Sequence, residues 1–333
     1  MSMPDETRWR GRLAAAARLV SGVPSNRGLA RVTIQHYEEI TMDRRTFVKA
    51  SVGVAAAAWA GTSQATSGAE AAAGKLRTRI AVAPQWFKGT HVEQIEQIAA
   101  SGFSAFENLG CGGWEDKEQV RAKCEELGVA CGAVGGGMGS INDWGPNDPA
   151  HHPRFVEAVK QSIANAKAIG SKCVLALSGA AIQGATKEQQ LEALTKAGQL
   201  VGPMLADANM VLVWECLNVL VDHPGYFLVY SADGADLVRR TGHPNIKFLF
   251  DIYHQQISEG HLIANIRAYR QEIGHFHFAD NPGRHEPGTG EINYKNVFKA
   301  IYETGYRDIV ACEFGKLKPT AEVLAILAEC DRW

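Results

Sequence analysis

The chain has 333 residues, 46% hydrophobic and 21% charged, a balance that excludes a wholly disordered polypeptide and fits a globular one. Lys and Arg number 34 against 36 Asp and Glu, a net charge of −2, which argues against a protein built mainly to coat nucleic acid or an acidic membrane. The cysteines (Cys111, Cys124, Cys131, Cys173, Cys216, Cys312 and Cys330) include no CxxC pair, so neither a zinc knuckle nor a disulfide scaffold is expected; they read as small buried apolar residues.

The N-terminal part differs from the rest. From Met42 the sequence runs Met42-Asp43-Arg44-Arg45-Thr46-Phe47-Val48-Lys49, and residues 50–60 are then nearly all small or apolar. A charged start, a short apolar run and small residues after it form the layout of a cleavable secretory signal. The adjacent Arg44 and Arg45, followed by Phe47 and Lys49, resemble the bacterial twin-arginine export signal. The apolar run is shorter than the ~20 positions a bilayer-spanning helix needs, so no permanent membrane anchor is expected. Ala65 and the run 71–73 offer small-residue cleavage contexts. Residues 1–41 stand in front of a segment that normally begins a chain, and read as an upstream extension, disordered or ahead of a true start at Met42. The expected organisation is an extension at 1–41, a signal segment at 42–74 and a folded domain at 75–333. The expected location is the periplasm, or the cytoplasm if the signal does not function.

Residues 75–333 match the ~250 residues of one (β/α)8 TIM barrel. Short apolar runs at 80–83, 105–109, 129–134, 173–177, 211–216, 246–250, 275–279 and 309–314 predict strands. Amphipathic segments at 92–100, 117–127, 155–169, 187–205, 235–240, 262–272, 294–303 and 321–329 predict the helices after them, with apolar positions every 3–4 residues in 155–169. Gly102, Gly128, Gly170 and Gly305 each precede a strand, where a residue without Cβ suits the left-handed position past a helix end. Eight alternations predict a parallel sheet, and eight close a barrel. An open doubly wound sheet competes. However, the first strand exits into Pro84-Gln85-Trp86-Phe87 instead of a Gly-rich phosphate turn. The Gly135-Gly136-Gly137 run lacks a phosphate-binding pattern and reads as a loop.

In such a barrel the chemistry gathers at the C-terminal strand ends. The fifth strand ends in Trp214-Glu215-Cys216 and the sixth in Phe250-Asp251-Ile252-Tyr253-His254. The seventh reads His275-Phe276-His277, with alternate histidines on one face, and the eighth gives Cys312-Glu313-Phe314. Glu215, Asp251, His277 and Glu313 follow at intervals of 36, 26 and 36 residues, about one strand plus its helix each. Taken singly, a strand-end Glu is more often a solvated loop residue and a strand His a satisfied core histidine. Four on successive strands are hard to obtain by accident. Three carboxylates meeting one imidazole repel one another unless a cation lies between them. An oxygen-rich set with one nitrogen suits Mn²⁺ or Mg²⁺, with Co²⁺ or Zn²⁺ as further candidates. Cys216 and Cys312 fall on the opposite strand face and read as packing residues.

The stretch Gly283-Arg284-His285-Glu286-Pro287-Gly288-Thr289-Gly290-Glu291-Ile292-Asn293-Tyr294 resembles a segment of the hydroxypyruvate isomerases. That family belongs to the xylose isomerase-like barrel superfamily, with ketose 3-epimerases and family-2 endonucleases. Trp214–Asn218, Pro224–Leu228, Phe250–His254 and Cys312-Glu313 support the resemblance, which is strong over 211–314 and diffuse over the first four strands. It implies a metal-dependent isomerase working by enediolate proton transfer on a small hydroxy-keto acid or sugar. Hydroxypyruvate converted to 2-hydroxy-3-oxopropanoate (tartronate semialdehyde) is the first expectation. Glu215 and Glu313 would then be catalytic, Glu215, Asp251, His277 and Glu313 would hold the metal, and His254 and Arg284 would bind substrate oxygens. For an acid, Arg284 would instead pair the carboxylate through its two-pronged fork. Two departures stand out: His277 replaces the Gln frequent among the isomerases, as in ketose 3-epimerases, and Gly315-Lys316-Leu317-Lys318-Pro319 differs from the usual continuation. A 3-epimerase or isomerase of a larger keto-sugar is therefore the alternative. An endonuclease, disfavoured by the charge and by the lack of histidines ending the second and third strands, and a non-catalytic exported sugar-binding protein are more remote. No nucleic-acid partner is expected; a homo-oligomer is compatible with the sequence.

Overall fold

Residues 76–136 and 138–333 are described by the structure, a computed structural model; the extension at 1–41 and the signal segment at 42–74 lie outside them. The apolar runs become β1 (Arg79–Val82), β2 (Ala105–Phe106), β3 (Ala130–Cys131), β4 (Ala133–Val134), β5 (Cys173–Ala176), β6 (Val211–Glu215), β7 (Ile246–Asp251), β8 (Ile273–Phe278) and β9 (Ile309–Cys312). All ladders between them are parallel, in the order β3-β2-β1-β9-β8-β7-β6-β5-β4. The run at 129–134, expected as one strand, is broken at Gly132. Its first half pairs with β2 and its second with β5, so the two ends of the sheet meet on one stretch of chain and the expected eight staves form a nearly closed barrel.

The helices are α1 (His91–Ala100), α2 (Lys117–Leu127), α3 (His152–Ile169), α4 (Lys187–Asp207), α5 (Ser231–Thr241), α6 (Ile252–Ser258), α7 (Leu262–Ala268), α8 (Tyr294–Glu303) and α9 (Thr320–Cys330). Capping boxes start α1 at Thr90, with Glu93, and α4 at Thr186, with Gln189, each pairing side chains reciprocally with otherwise orphaned N–H groups. Gly128 (φ 69°) and Gly170 (φ 88°) end α2 and α3 in the expected left-handed conformation. Three further elements depart from the sequence reading. The second strand stops at Phe106 because the Asn108 side chain accepts the Gly110 N–H at 3.0 Å and turns the chain. The segment 262–272 is helical only to Ala268. The short α6, not expected, follows β7 directly because Asp251 caps it.

Strand alternation divides the core into two shells. Trp214, Phe248, Phe250, Phe276 and Phe278 join the large cluster that also contains helix residues such as Phe155 and Phe298. Cys216 and Cys312 are buried in that cluster, and all seven cysteines are free. The intervening strand positions form two small clusters, Ala133, Leu175, Val213 and Leu249 on one side and Ala81, Ala105, Ile309 and Ala311 on the other. His277, Ala311, Ala81 and Ala105 lie in register across β8, β9, β1 and β2. Three neighbouring alanines leave interior room that larger side chains can fill. Among the described residues, no helix is long and apolar enough to cross a membrane.

Candidate metal centre

Period-two alternation carries Val213 and Glu215 to one face of β6, Leu249 and Asp251 to one face of β7, and His275 and His277 to one face of β8. Register then sets the level: Asp251 is paired with His277 across the β7–β8 ladder. Glu313 follows β9 directly, its N–H donating to the Phe278 carbonyl at 3.0 Å. One ligand atom from each of Glu215, Asp251, His277 and Glu313 lies within 4.8 Å of the others. All four residues expected from the sequence to share an ion therefore converge.

Their orientation is fixed from behind. The Tyr226 hydroxyl donates to the Glu215 carbonyl at 3.0 Å and accepts the Ser178 N–H at 2.8 Å. Asp251 Oδ1 accepts the N–H groups of Tyr253 and His254 at 2.8 and 3.2 Å as the cap of α6. That leaves Asp251 Oδ2 buried without a hydrogen bond, and Glu215 Oε1 is in the same state. His277 Nδ1 lies 3.0 Å from Glu313 Oε2 and 3.3 Å from Glu215 Oε1.

Buried charge of one sign has consequences here. Burial, reinforced by Glu313 and Asp251, pushes the Glu215 carboxyl up to about 7, against the pull of His277. Burial would also raise Glu313, but His277 and then Arg284 hold it well below the ordinary carboxylate range. Two carboxyls at one site are driven apart because they cannot both ionise cheaply without a neighbouring cation. Two unpartnered buried oxygens, a further carboxylate and one imidazole fit a hard divalent cation of the Mn²⁺ or Mg²⁺ type.

His254 and Arg284 border this cluster. The Asn218 side chain stands 2.6 Å from His254 Nδ1 and its N–H donates to the same nitrogen at 3.4 Å. A nitrogen that accepts from a backbone N–H carries no proton, so the His254 proton sits on Nε2, buried without a partner and 3.7 Å from Asp251 Oδ2. Burial holds the His254 ring below its ordinary pKa, hence neutral at pH 7. Arg284 Nη2 lies 2.9 Å from Glu313 Oε2, with the guanidinium 5.1 Å from the centre of the Tyr253 ring. Arg284 itself has φ 56°, a left-handed conformation unusual for a residue with a side chain. Asp280 organises the loop that imposes it: its carboxylate accepts N–H groups from Asn281, Gly288, Gly290 and Ile292 at 2.7–3.1 Å. Glu286 of the same loop accepts the N–H groups of Leu317 and Lys318 at 2.9 Å, fastening the segment after β9 to it.

Sequence reasoning missed Glu107, which follows β2, and gave no role to His275. The Glu107 carboxylate is buried 2.7 Å from His275 Nε2 and 2.8 Å from His277 Nε2. Burial works to raise it, yet the two imidazoles hold it at about 2. The signal was a charged residue inside the apolar run at 105–109, at the same strand-end level as the others.

A family model for the xylose isomerase-like TIM barrel matches residues 95–330. The chain belongs to that family. The hydroxypyruvate isomerase of Escherichia coli (strain K12) is 31% identical over 67% of this chain and 78% of its own length. The 2-oxo-tetronate isomerase of Cupriavidus necator is 27% identical over 67% of this chain and 86% of its own. Among solved structures, a family-2 AP endonuclease from Brucella melitensis superposes with a TM-score of 0.67 at 24% identity, covering 76% of this chain and 98% of that one, and supports the fold alone. With isomerases as its curated relatives, the chain is an isomerase.

Proposed function

We propose that this isomerase moves a carbon-bound proton between adjacent carbons of a small hydroxy-keto acid, hydroxypyruvate to 2-hydroxy-3-oxopropanoate. The observation that carries the reading is the convergence of Glu215, Asp251, His277 and Glu313 within 4.8 Å at the strand ends. These four would hold Mn²⁺ or Mg²⁺. A bound divalent cation supplies Lewis-acid stabilisation of the negative charge that develops on the substrate oxygens.

The chain's own groups supply the rest. One of Glu215 and Glu313 takes the proton from C3 of the substrate, and the other returns a proton to C2. The C2 carbonyl becomes a hydroxyl while the C3 hydroxyl becomes an aldehyde, the hydroxyl proton passing from the C3 oxygen to the C2 oxygen. The two carboxyls regain their starting charge by proton exchange with solvent, so no atoms are gained or lost overall. His254 presents its unpartnered Nε2–H to a substrate oxygen. Arg284, already against Glu313, is within reach of a carboxylate, which its planar fork recognises through two parallel hydrogen bonds. This arginine favours an acid over a neutral ketose. Export through the twin-arginine route, and action on a periplasmic acid or sugar, complete the proposal.

The test is turnover of a panel of keto-acids and ketoses with added Mn²⁺, together with exchange of the substrate's C–H proton in deuterated water. Hydroxypyruvate turned over faster than ketoses, with deuterium at C2 of the product, is expected. Preference for a larger ketose would move the protein to the epimerase reading, and binding without exchange would make it a carrier.

A further inference from the structure

On the Nε2 side of His277, away from Glu215 and Glu313, the barrel interior holds a second polar group. Glu107 Oε2 accepts the Ala133 N–H at 2.6 Å and faces His275 Nε2 at 2.7 Å, while Oε1 faces His277 Nε2 at 2.8 Å. All three side chains are at most 5% exposed. The barrel is shaped around this carboxylate. A Cβ on Gly132 would come within 2.2 Å of Glu107 Oε2, so a side chain there would displace the carboxylate from its place, and the third stave is interrupted at that residue. The in-register alanines Ala311, Ala81 and Ala105 clear the adjoining space. The contact to His277 is close but off the straight N–H direction, which leaves Nε2 without a formed hydrogen bond and makes proximity of charge its main content.

We propose that Glu107 is a positioning residue for the cation site: by holding the ring proton of His277 on Nε2, it reserves Nδ1, the nitrogen facing Glu215 and Glu313, for the metal. The inference rests on the metal reading of the preceding section. Carboxylates stand beside both ring nitrogens, Glu107 at Nε2 and Glu313 and Glu215 at Nδ1. Once a cation takes the Nδ1 side the ring keeps a single proton, and the anion beside Nε2 holds it there. The geometry also dictates what an amide would do in its place. In Glu107→Gln the oxygen must stay on the Ala133 N–H, which can only donate. The NH2 group then replaces Oε1 and points a donor at His277 Nε2. The negative charge beside Nε2 is lost and a donor's positive edge takes its place, which disfavours a proton on Nε2 and shifts the ring proton toward Nδ1, where it obstructs the cation.

Two measurements test this. Mn²⁺ binding to the intact protein, followed by the electron paramagnetic resonance of free Mn²⁺, is expected to weaken about 10- to 100-fold in Glu107→Gln, with an unchanged circular dichroism spectrum in the absence of metal. Independently of any variant, long-range ¹H–¹⁵N correlation on the wild-type protein loaded with Zn²⁺ is expected to show His277 protonated on Nε2 and unprotonated on Nδ1. Wild-type Mn²⁺ affinity in a folded Glu107→Gln protein, or a proton on Nδ1 in the Zn²⁺-loaded wild type, overturns the role of Glu107. Failure of the wild type to bind Mn²⁺, Mg²⁺, Co²⁺ or Zn²⁺ overturns the metal reading instead.

Discussion

Glu313 illustrates how much one side chain is asked to do. A single oxygen, Oε2, meets both Arg284 at 2.9 Å and His277 at 3.0 Å, and the same carboxylate belongs to the four-residue cluster. Glu313→Gln keeps the volume and removes the charge. Turnover is expected to fall by roughly 10²–10⁴, the usual contribution of a positioned acid or base, while circular dichroism and the melting temperature stay close to wild type. Steady-state kinetics on the purified variant decide it: turnover within tenfold of wild type takes Glu313 out of the proton transfer. At this scale the sequence was legible wherever a polar residue closed an apolar run. Glu215, Asp251 and Glu313 do so, and alternation alone placed His277. Glu107 was not legible in the same way, because its meaning depends on His275 and His277, which approach it from 168 and 170 positions further along the chain.

At the scale of elements, the loop 280–292 explains why the motif that carried the family resemblance has its composition. Asp280 gathers four backbone N–H groups, two of them from Gly288, which sits at a left-handed φ of 89°, and Gly290, where a Cβ would meet Asp280 Oδ1 at 2.7 Å, and Arg284 is turned toward Glu313 as a result. The motif is thus a folding device that aims one guanidinium. Asp280→Ala leaves those donors without an acceptor. Even one such group left unpaired in a buried setting costs about 1–3 kcal/mol, so a melting temperature lower by roughly 2–12 °C is expected for a domain of this size, with weaker substrate binding as Arg284 loses its aim. Calorimetry on the variant checks this, and an unchanged melting temperature means the loop is held by other contacts. The departures of the third strand and of α6 from the sequence reading belong here too. Gly132 interrupts a ladder to admit a side chain from a neighbouring strand, and Asp251 starts a helix while leaving one oxygen toward the site. Both are effects of neighbours, which local propensity does not contain.

For the described barrel, the fold supplies what a set of separate strands could not: a nearly closed ring of parallel staves whose carboxyl ends face one mouth. The twin-arginine proposal belongs at this scale, because that route carries proteins already folded and a barrel proposed to collect a cation would benefit from folding before export. N-terminal sequencing of protein recovered from the periplasm is expected to find cleavage after the 50–60 run, near Ala65 or within 71–73; a mature chain that retains Arg44 refutes it. The sequence by itself determined the alternation, the number of staves and the carboxylates that end the later ones, because hydrophobic period and strand-end polarity are local properties. Only the tertiary structure decided that four of those side chains share one small volume, that Asp251 offers one oxygen and not two, and that a carboxylate from β2 stands behind His277. Distances between strands are set by register and by the size of inward side chains around the ring, and no local stretch of chain encodes either.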